Sequence, residues 1–140
     1  FRRDRAAERA HGDSARAIIE ARSRGTPEDA KVLASLALAS AHAGRHADAV
    51  RAGERAAELL PVADDAVSGP FILTYLARVY LAAGRHDDAM RILARLMDLP
   101  SWISRPALRA DPLWDPLRSH PGFLRLVEES SADGKRLRAG

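Results

Sequence analysis

The sequence predicts an all-α fold built from stacked pairs of short helices, and three observations support this prediction. Hydrophobic residues make up 46% of the chain but aromatic residues only 5%, so alanine and leucine supply most of the core. Alanine is the strongest helix former, and its small side chain lets helices approach closely. β-branched residues are scarce, which disfavours an extensive sheet. Finally, the phrase GRHADA at 44–49 returns as GRHDDA at 84–89, which indicates an internal repeat.

The two phrases align two longer segments of the chain, and each segment is predicted to be a pair of helices. Helices are expected at 28–43 and 47–60 in the first segment, and at 70–83 and 87–99 in the second. Gly44 and Gly84 are expected to end the first helix of each pair, because glycine accepts the left-handed conformation at little cost. The matching small or apolar residues are Leu33 and Leu73, Leu36 and Leu76, Ala37 and Ala77, Ala49 and Ala89, and Ala56 and Leu96.

Both segments begin with residues that favour a helix start. Thr26 can cap a helix, Pro27 suits its first turn, and the acidic pair at 28–29 favours its positive end. Gly69 and Pro70 open the second segment in the same way. The phrases themselves are predicted to be turns, in which the histidine follows the glycine and the aspartate lies in the first turn of the next helix.

A weaker copy of the repeat lies upstream. Gly12 and Ala17 precede Gly44 and Ala49 by 32 residues, which predicts a degenerate helix pair at 1–11 and 14–24 within 1–26. The first of these helices is too polar to be buried deeply, so the pair is interpreted as a capping unit or as the broken end of a longer array. The chain begins at Phe1 rather than Met, so we expect it to be a fragment.

The sequence changes character after Pro100, and residues 104–130 are predicted to cap the stack. Asp111-Pro112 and His120-Pro121 each combine a capping residue with a proline in the first helical position, which predicts helices near 112–118 and 121–130. A stack of helix pairs exposes an apolar face at its end. The large apolar residues available to cover it are Trp102, Trp114, Leu117, Phe123 and Leu126. Residues 131–140 are predicted to be a disordered tail.

The paired segments at 27–103 resemble the tetratricopeptide repeat (TPR). Its small positions are matched by Ala37, Ala49 and Ala56 and by Ala77 and Ala89, and Tyr80 occupies its usual aromatic position, where the first unit has Ser40. The spacing of 40 exceeds the family's typical length of about 34 residues, so residues 64–69 are expected to form a longer loop. The resemblance implies an α-α superhelix of TPR-like helix pairs with a C-terminal capping helical segment. The amino-acid sequence of that segment resembles the ends of repeat domains in bacterial serine/threonine kinases, adenylate cyclases and TolB-like regulators.

The resemblance also implies a concave groove lined by the first helix of each pair. The candidate groove residues are Lys31, Leu38, His42, Phe71, Thr74, Tyr75 and Arg78, with Ala34, Ala41 and Leu81 on the same faces. A peptide with an apolar anchor and an acidic group would suit this set, because Arg78 and Lys31 can supply charge-assisted hydrogen bonds. Phe71, Tyr75 and Leu38 could equally pack against neighbouring helices. The family's clamp for a C-terminal carboxylate is absent, because its lysine and asparagine positions read Ala34, Leu38, Thr74 and Arg78.

Enzymatic and metal-binding signals are weak. His42 and His46 have a spacing that suits metal binding on one helix face, but Gly44 is expected to break the helix between them. A zinc site typically needs three or four ligands, and neither HExxH nor a nucleotide-binding or nucleophile motif is present. We therefore predict no enzyme, no cofactor and no metal. The lack of cysteine excludes disulfides and thiolate chemistry.

Charge and hydropathy narrow the class of partner. The 22 basic and 19 acidic residues alternate along the chain, which is typical of solvated helix faces and disfavours nucleic-acid binding despite the cluster Arg2, Arg3, Arg5 and Arg9. No apolar run is long enough for a membrane span, and a cytoplasmic location is expected. The predicted function is a non-catalytic protein-protein interaction module of a larger bacterial signalling or regulatory protein. The alternative is a structural domain that packs on its own copies or on an upstream catalytic domain.

Overall fold

The computed structural model describes residues 2–25 and 28–128, and over these ranges the chain is helical and contains no strand. The all-α class is thereby confirmed. In chain order the helices are α1 Arg2–Ser23, α2 Ala30–His42, α3 His46–Leu59, α4 Ser68–Ala82, α5 His86–Met97, α6 Arg105–Ala110, a 3-10 helix Pro112–Leu117, and α7 Pro121–Glu128.

The helices pack as two pairs with additions at both ends. Helix α2 packs on α3 and α4 packs on α5, and α4 also contacts both helices of the first pair. Helix α1 packs on α2, whereas α7 contacts α5 and α6. The four central helices begin and end within two residues of their predicted limits, so the predicted packing of helix pairs is confirmed.

The repeated phrase forms the turn inside each pair. Gly44 has φ +78° and Gly84 has φ +73°, so both adopt the left-handed conformation that favours glycine. In the first turn Arg45 N–H donates to Ser40 O at 2.8 Å and Gly44 N–H donates to Ala41 O at 3.0 Å. The second turn repeats both bonds at 2.8 and 3.1 Å. This pattern is the Schellman motif, which satisfies the last carbonyl groups of a helix. The phrase is therefore a helix-ending turn in both copies.

Alanines at the crossing points bring the helices of the pairs together. Ala37, Ala49, Ala77 and Ala89 have no exposed surface, and a methyl group at each position allows the backbones to approach. Larger side chains fill the second half of the core, where α4 and α5 form one buried cluster with the C-terminal helices. The core is thus alanine-rich at the first pair and leucine-rich at the second.

The N-terminal segment differs from the predicted helix pair at 1–11 and 14–24. It is one continuous helix, α1, and Gly12 lies inside it. A Cβ atom on Gly12 would lie 2.5 Å from Ala43 N and 2.8 Å from His42 C, so glycine is needed here for close contact with the end of α2. The turn glycine before α2 is Gly25, with φ +78°. The alignment of Gly12 with Gly44 was wrong because a glycine at a helix contact and one at a helix end look alike in sequence.

The starts of α2 and α4 are capped by aspartates. Asp29 accepts hydrogen bonds from the N–H groups of residues 31 and 32 at 2.8 and 3.1 Å, whereas the predicted start residues Thr26 and Pro27 lie outside the described residues. Asp65 accepts from the N–H groups of residues 67 and 68 at 2.9 and 2.7 Å. The hydrogen bond from Ser68 N–H is the main reason why the pKa of the Asp65 carboxyl is lowered. The predicted loop at 64–69 is therefore shorter, because α4 already begins at Ser68.

The C-terminal segment contains one helix more than predicted. Ser104 caps α6 by accepting a hydrogen bond from Ala107 N–H at 3.3 Å, and this helix is not among those that the sequence predicts. The predicted helix at 112–118 is the 3-10 helix, and α7 is described as far as Glu128. The predicted end of that helix at 129–130 and the predicted disordered tail at 131–140 lie outside the described residues.

Two arginines of α6 fasten the end of α7. Arg105 Nε donates to Leu126 O at 2.9 Å, and Arg109 donates to Val127 O at 2.6 Å. These bonds satisfy carbonyl groups that a helix end leaves free. The buried side chains Trp114, Leu117 and Phe123 join the core cluster of α4 and α5. The segment thus covers the apolar face of the second pair.

Candidate functional site

A groove of about 500 Å³ lies between α1, α2, α4 and the 3-10 helix. We call it the basic groove because three arginines and two histidines line it, namely Arg5, Arg9, Arg78, His42 and His46. One acidic residue, Glu8, is also in the lining. The apolar lining comes from Leu38, Ala41, Leu81, Ala82, Leu113 and Pro116.

The structure brings three of the seven predicted site residues together in the basic groove. These are Leu38 and His42 on α2 and Arg78 on α4. Ala41 and Leu81, predicted on the same helix faces, also line it. The choice of these residues relied on the resemblance to tetratricopeptide repeats together with helical spacing, and their role in binding stays a prediction.

The other four predicted residues lie elsewhere. Lys31 lines a separate depression where the end of α1 meets the start of α2. Thr74 is buried, and its hydroxyl donates a hydrogen bond to Pro70 O at 2.8 Å. Phe71 and Tyr75 stack on each other, with ring centroids 4.4 Å apart. We therefore omit Lys31, Phe71, Thr74 and Tyr75 from the lining of the basic groove.

Phe71 and Tyr75 belong to a small aromatic cluster on the N-terminal half of α4. The ring centroid of Phe71 lies 5.8 Å from that of Trp102, which is 56% exposed. The Arg78 guanidinium lies 5.8 Å from the Tyr75 ring centroid, a distance at which a cation and an aromatic ring attract each other. Arg78 therefore stands between this aromatic cluster and the basic groove.

Arg78 has an unsatisfied hydrogen-bond donor. Its Nε is buried and has no hydrogen-bond partner, the sole buried side-chain nitrogen or oxygen in that state among the described residues. Leaving a buried donor unpaired costs about 1–3 kcal/mol, so such groups are rare and need an explanation. Arg78 also lines the basic groove.

Helix α1 adds charge that the repeat pattern did not predict. Arg5 and Arg9 are four residues apart, so they project from the same face of α1. The Arg9 guanidinium lies over the first turn, with Nε 3.5 Å from the position that a Cβ on Gly44 would occupy. Glu8 lies 3.5 Å from His42 Nδ1. Neither Arg5 nor Arg9 forms an ion pair with this acidic residue of the lining.

The 3-10 helix adds the last wall of the groove. Leu113, which is 37% exposed, and Pro116 come from the C-terminal segment, which was predicted only as a cover for the core. Its position follows from the two prolines that tighten the chain at 112–117. The α1 and 3-10 contributions could not be found by aligning repeats, because neither element belongs to one.

The histidines of the repeated phrases do not converge. Among residues 2–25 and 28–128, no group of three or more histidine and acidic side chains is placed to hold a metal ion. His120 Nε2 contacts Asp87 Oδ1 at 2.8 Å, and His120 Nδ1 accepts a hydrogen bond from Gly122 N–H at 3.0 Å. These two contacts attach the start of α7 to α5, so His120 has a structural role.

Comparison of the chain with protein-family models, with curated proteins and with solved structures finds no match. The resemblance to tetratricopeptide repeats rests on the residues of the two repeated units and stays a prediction. Over the described part of the chain, no helix combines the length and the apolar character needed to cross a bilayer.

Proposed function

We propose that this chain is a non-catalytic protein-interaction module that binds a peptide segment in the basic groove. The observation that supports this most directly is the unpaired Nε of Arg78. A buried donor without a partner is destabilising in the free protein, and an acidic ligand in the groove would remove that cost. Leu38 and Leu81 lie beside it and would receive an apolar side chain of the same ligand.

The shape of the groove suits an extended peptide better than a small molecule. It is open to solvent along α2 and α4 and is lined by partly exposed side chains rather than enclosed. Small-molecule sites are usually concave cavities that bury most of their ligand. A peptide that contributes one charged and one apolar group would use both halves of the lining.

The resemblance to tetratricopeptide repeats supports the same proposal. In that family the first helices of successive pairs line a concave binding surface. Helices α2 and α4 are the first helices of the two pairs in this chain, and they contact each other. The resemblance of the C-terminal segment to bacterial signalling proteins supports a role as one module of a larger cytoplasmic signalling or regulatory protein.

Peptide selection with the purified chain tests the proposal. A random peptide library displayed on phage is enriched on the wild-type chain, and the enriched peptides are measured by fluorescence anisotropy. We expect peptides with an acidic residue near an apolar residue, and we expect Arg78→Gln to weaken them by about 10-fold or more, since hydrogen bonds to charged groups contribute about 1.5–3 kcal/mol. Arg95, an exposed arginine of α5 outside the groove, provides the control variant Arg95→Gln, which should bind as the wild type does.

Two outcomes would contradict the proposal. One is that no peptide is enriched, and the other is that enriched peptides bind equally to wild type and Arg78→Gln. The competing hypothesis of self-association predicts a concentration-dependent sedimentation coefficient for the chain alone. A monomer at every concentration, together with Arg78-dependent peptide binding, would remove that alternative.

A further inference from the structure

The basic groove holds more positive charge than an ordinary acidic side chain would neutralise. Among the described residues, Arg5, Arg9 and Arg78 form no ion pair and donate no hydrogen bond, and the guanidinium of Arg78 contacts only the Tyr75 ring, at 5.8 Å. Glu8 is the one carboxylate in the lining, and it faces His42 at 3.5 Å. The lining therefore contains three guanidinium groups and one carboxylate, an excess of positive charge.

Some arginines outside the groove form ion pairs, whereas Arg22, Arg24, Arg95 and Arg125 form none among the described residues. Arg45 pairs with Asp13 at 3.3 Å, and Arg55 pairs with Glu28 at 2.8 Å. Carboxylates thus pair with some of the arginines outside the groove, and what distinguishes Arg5, Arg9 and Arg78 is that all three line one groove. Like charges that are left together without carboxylates repel one another, so an anion bound among them gains from all three.

The number and form of the unpaired groups match a phosphoryl group better than a carboxylate. A phosphorylated side chain has a charge of about −1.5 to −2 at neutral pH and three strong acceptor oxygens. A guanidinium donates two parallel hydrogen bonds, so one phosphoryl group can pair with two arginines at once. A carboxylate has one charge and two acceptor oxygens, so it would neutralise less of this positive charge than a phosphoryl group would.

We infer that the ligand of the basic groove is a protein segment with a phosphorylated side chain next to an apolar one. The phosphoryl group would contact Arg78 and the two arginines of α1, and the apolar side chain would lie on Leu38 and Leu81. The inference rests on the proposed function and specifies its ligand. It also gives α1 a role in binding, because two of the three cations come from that helix.

Matched peptides test the inference with the full chain. Each peptide is made in three forms that differ at one position, with phosphoserine, serine or glutamate, and apolar residues flank that position on both sides. Fluorescence anisotropy is expected to give a Kd about 10-fold or more lower for the phosphorylated form than for either other form, which corresponds to one additional charge-assisted hydrogen bond. Arg78→Gln and Arg9→Gln are each expected to raise that Kd by about 10-fold, whereas Arg95→Gln leaves it unchanged.

Helical content of each variant is checked by circular dichroism, and Arg9 and Arg5 are exposed, so replacing either one leaves the core intact. Inorganic phosphate should compete with the phosphorylated peptide, and acetate at equal ionic strength should not. These two results would support the inference even if Arg78→Gln proved unstable.

The outcomes that overturn the inference differ from those that overturn the proposed function. Equal binding of the glutamate and phosphoserine forms overturns the inference and leaves an acidic-peptide module in place. Phosphopeptide binding that Arg78→Gln and Arg9→Gln leave unchanged overturns the inference as well. Single-stranded RNA that binds more tightly than any peptide, in a manner lost in the same variants, would assign the groove to nucleic acid and overturn both.

Discussion

The Tyr80 hydroxyl donates a 2.7 Å hydrogen bond to Glu54 Oε1 and thereby links α4 to α3. The Arg85 guanidinium lies 4.6 Å from the Tyr80 ring centroid and 3.6 Å from the same carboxylate. One tyrosine therefore connects both helix pairs and the second turn. Burial, followed by the hydrogen bond to Glu54, raises the pKa of Tyr80 to about 12.

The raised pKa of Tyr80 predicts a loss of stability at alkaline pH. An unfolded tyrosine ionises near pH 10, so the folded state favours the neutral hydroxyl and its stabilisation is fully present below that pH. It is lost as pH rises from about 10 through about 12. Tyr80→Phe should lower the free energy of unfolding by about 1 kcal/mol near neutral pH. As pH rises above about 10 this difference should shrink and then change sign, because only the wild type has a hydroxyl that resists ionisation in the folded state. Urea denaturation over this pH range measures it; a constant difference would contradict the assignment.

The left-handed turn at Gly84 predicts a substitution effect caused by the backbone alone. No atom lies within 4 Å of the position that a Cβ would occupy, so Gly84→Ala introduces no clash. The φ of +73° should still make alanine destabilising by about 1–2 kcal/mol. Gly84→Asn should cost less, because asparagine tolerates this conformation better. Thermal denaturation of the two variants measures the difference, and equal melting temperatures would show that the turn relaxes.

Much of the central fold could be predicted from the sequence because the same pattern of residues occurs in two segments of the chain. Gly44 and Gly84 end helices for one physical reason, and two copies of that signal reinforce each other. The role of Gly12 could not be predicted in this way, because a glycine that is needed for a close helix contact follows no periodic pattern. The α6 helix was missed since its cap, Ser104, precedes only six helical residues, too few to show a period.

The candidate site could be predicted only in part for a related reason. Leu38, His42 and Arg78 were chosen from the resemblance to tetratricopeptide repeats combined with helical spacing, and they line the basic groove from α2 and α4. Arg5 and Arg9 come from a helix outside the repeats, and their approach depends on how closely Gly12 lets α1 pack. Such contacts between distant segments leave no local signal in one sequence.

The close contact at Gly12 predicts an effect opposite to that of helix propensity. Alanine in place of an exposed glycine inside a helix should stabilise by about 1 kcal/mol. Here the added Cβ would lie 2.5 Å from Ala43 N and 2.9 Å from Ala39 O, and a backbone cannot yield as a flexible side chain can. Gly12→Ala should therefore destabilise by about 1–3 kcal/mol and weaken ligand binding, because α1 supplies Arg5 and Arg9. An increase in melting temperature would show that α1 is not held against α2.

The covering role of the C-terminal segment predicts unequal effects of two adjacent residues on α7. Phe123 is 2% exposed and belongs to the core cluster, whereas Leu124 is 47% exposed. Phe123→Ala should lower the free energy of unfolding by about 3–5 kcal/mol, and Leu124→Ala should change it by less than about 0.5 kcal/mol. Chemical denaturation followed by circular dichroism measures both. Similar small effects would mean that the segment does not cover the second pair.

Replacing Arg78 and replacing Arg85 should change the free energy of unfolding in opposite directions. This difference distinguishes an arginine that serves binding from one that stabilises the fold. Both lie near the end of α4, but Arg85 pairs with Asp88 at 2.6 Å and stacks over Tyr80, whereas Arg78 Nε is buried without a partner. Arg78→Met retains the apolar stem and removes the unpaired donor. It should raise the free energy of unfolding by about 1 kcal/mol, the unpaired donor's cost less a weak attraction to Tyr75.

Arg85→Met removes satisfied interactions of the same kinds and should lower the free energy of unfolding by about 1 kcal/mol. Urea denaturation of the two variants and the wild type measures both changes. We also expect Arg78→Met to abolish binding of the phosphorylated peptide and Arg85→Met to preserve it. Arg78 would then be the one of the two residues whose replacement increases stability and decreases affinity. That opposition is expected of a residue whose partner is supplied by another molecule, because the free protein bears the cost of the unpaired donor and the complex does not. Destabilisation by Arg78→Met would instead assign this arginine to the core.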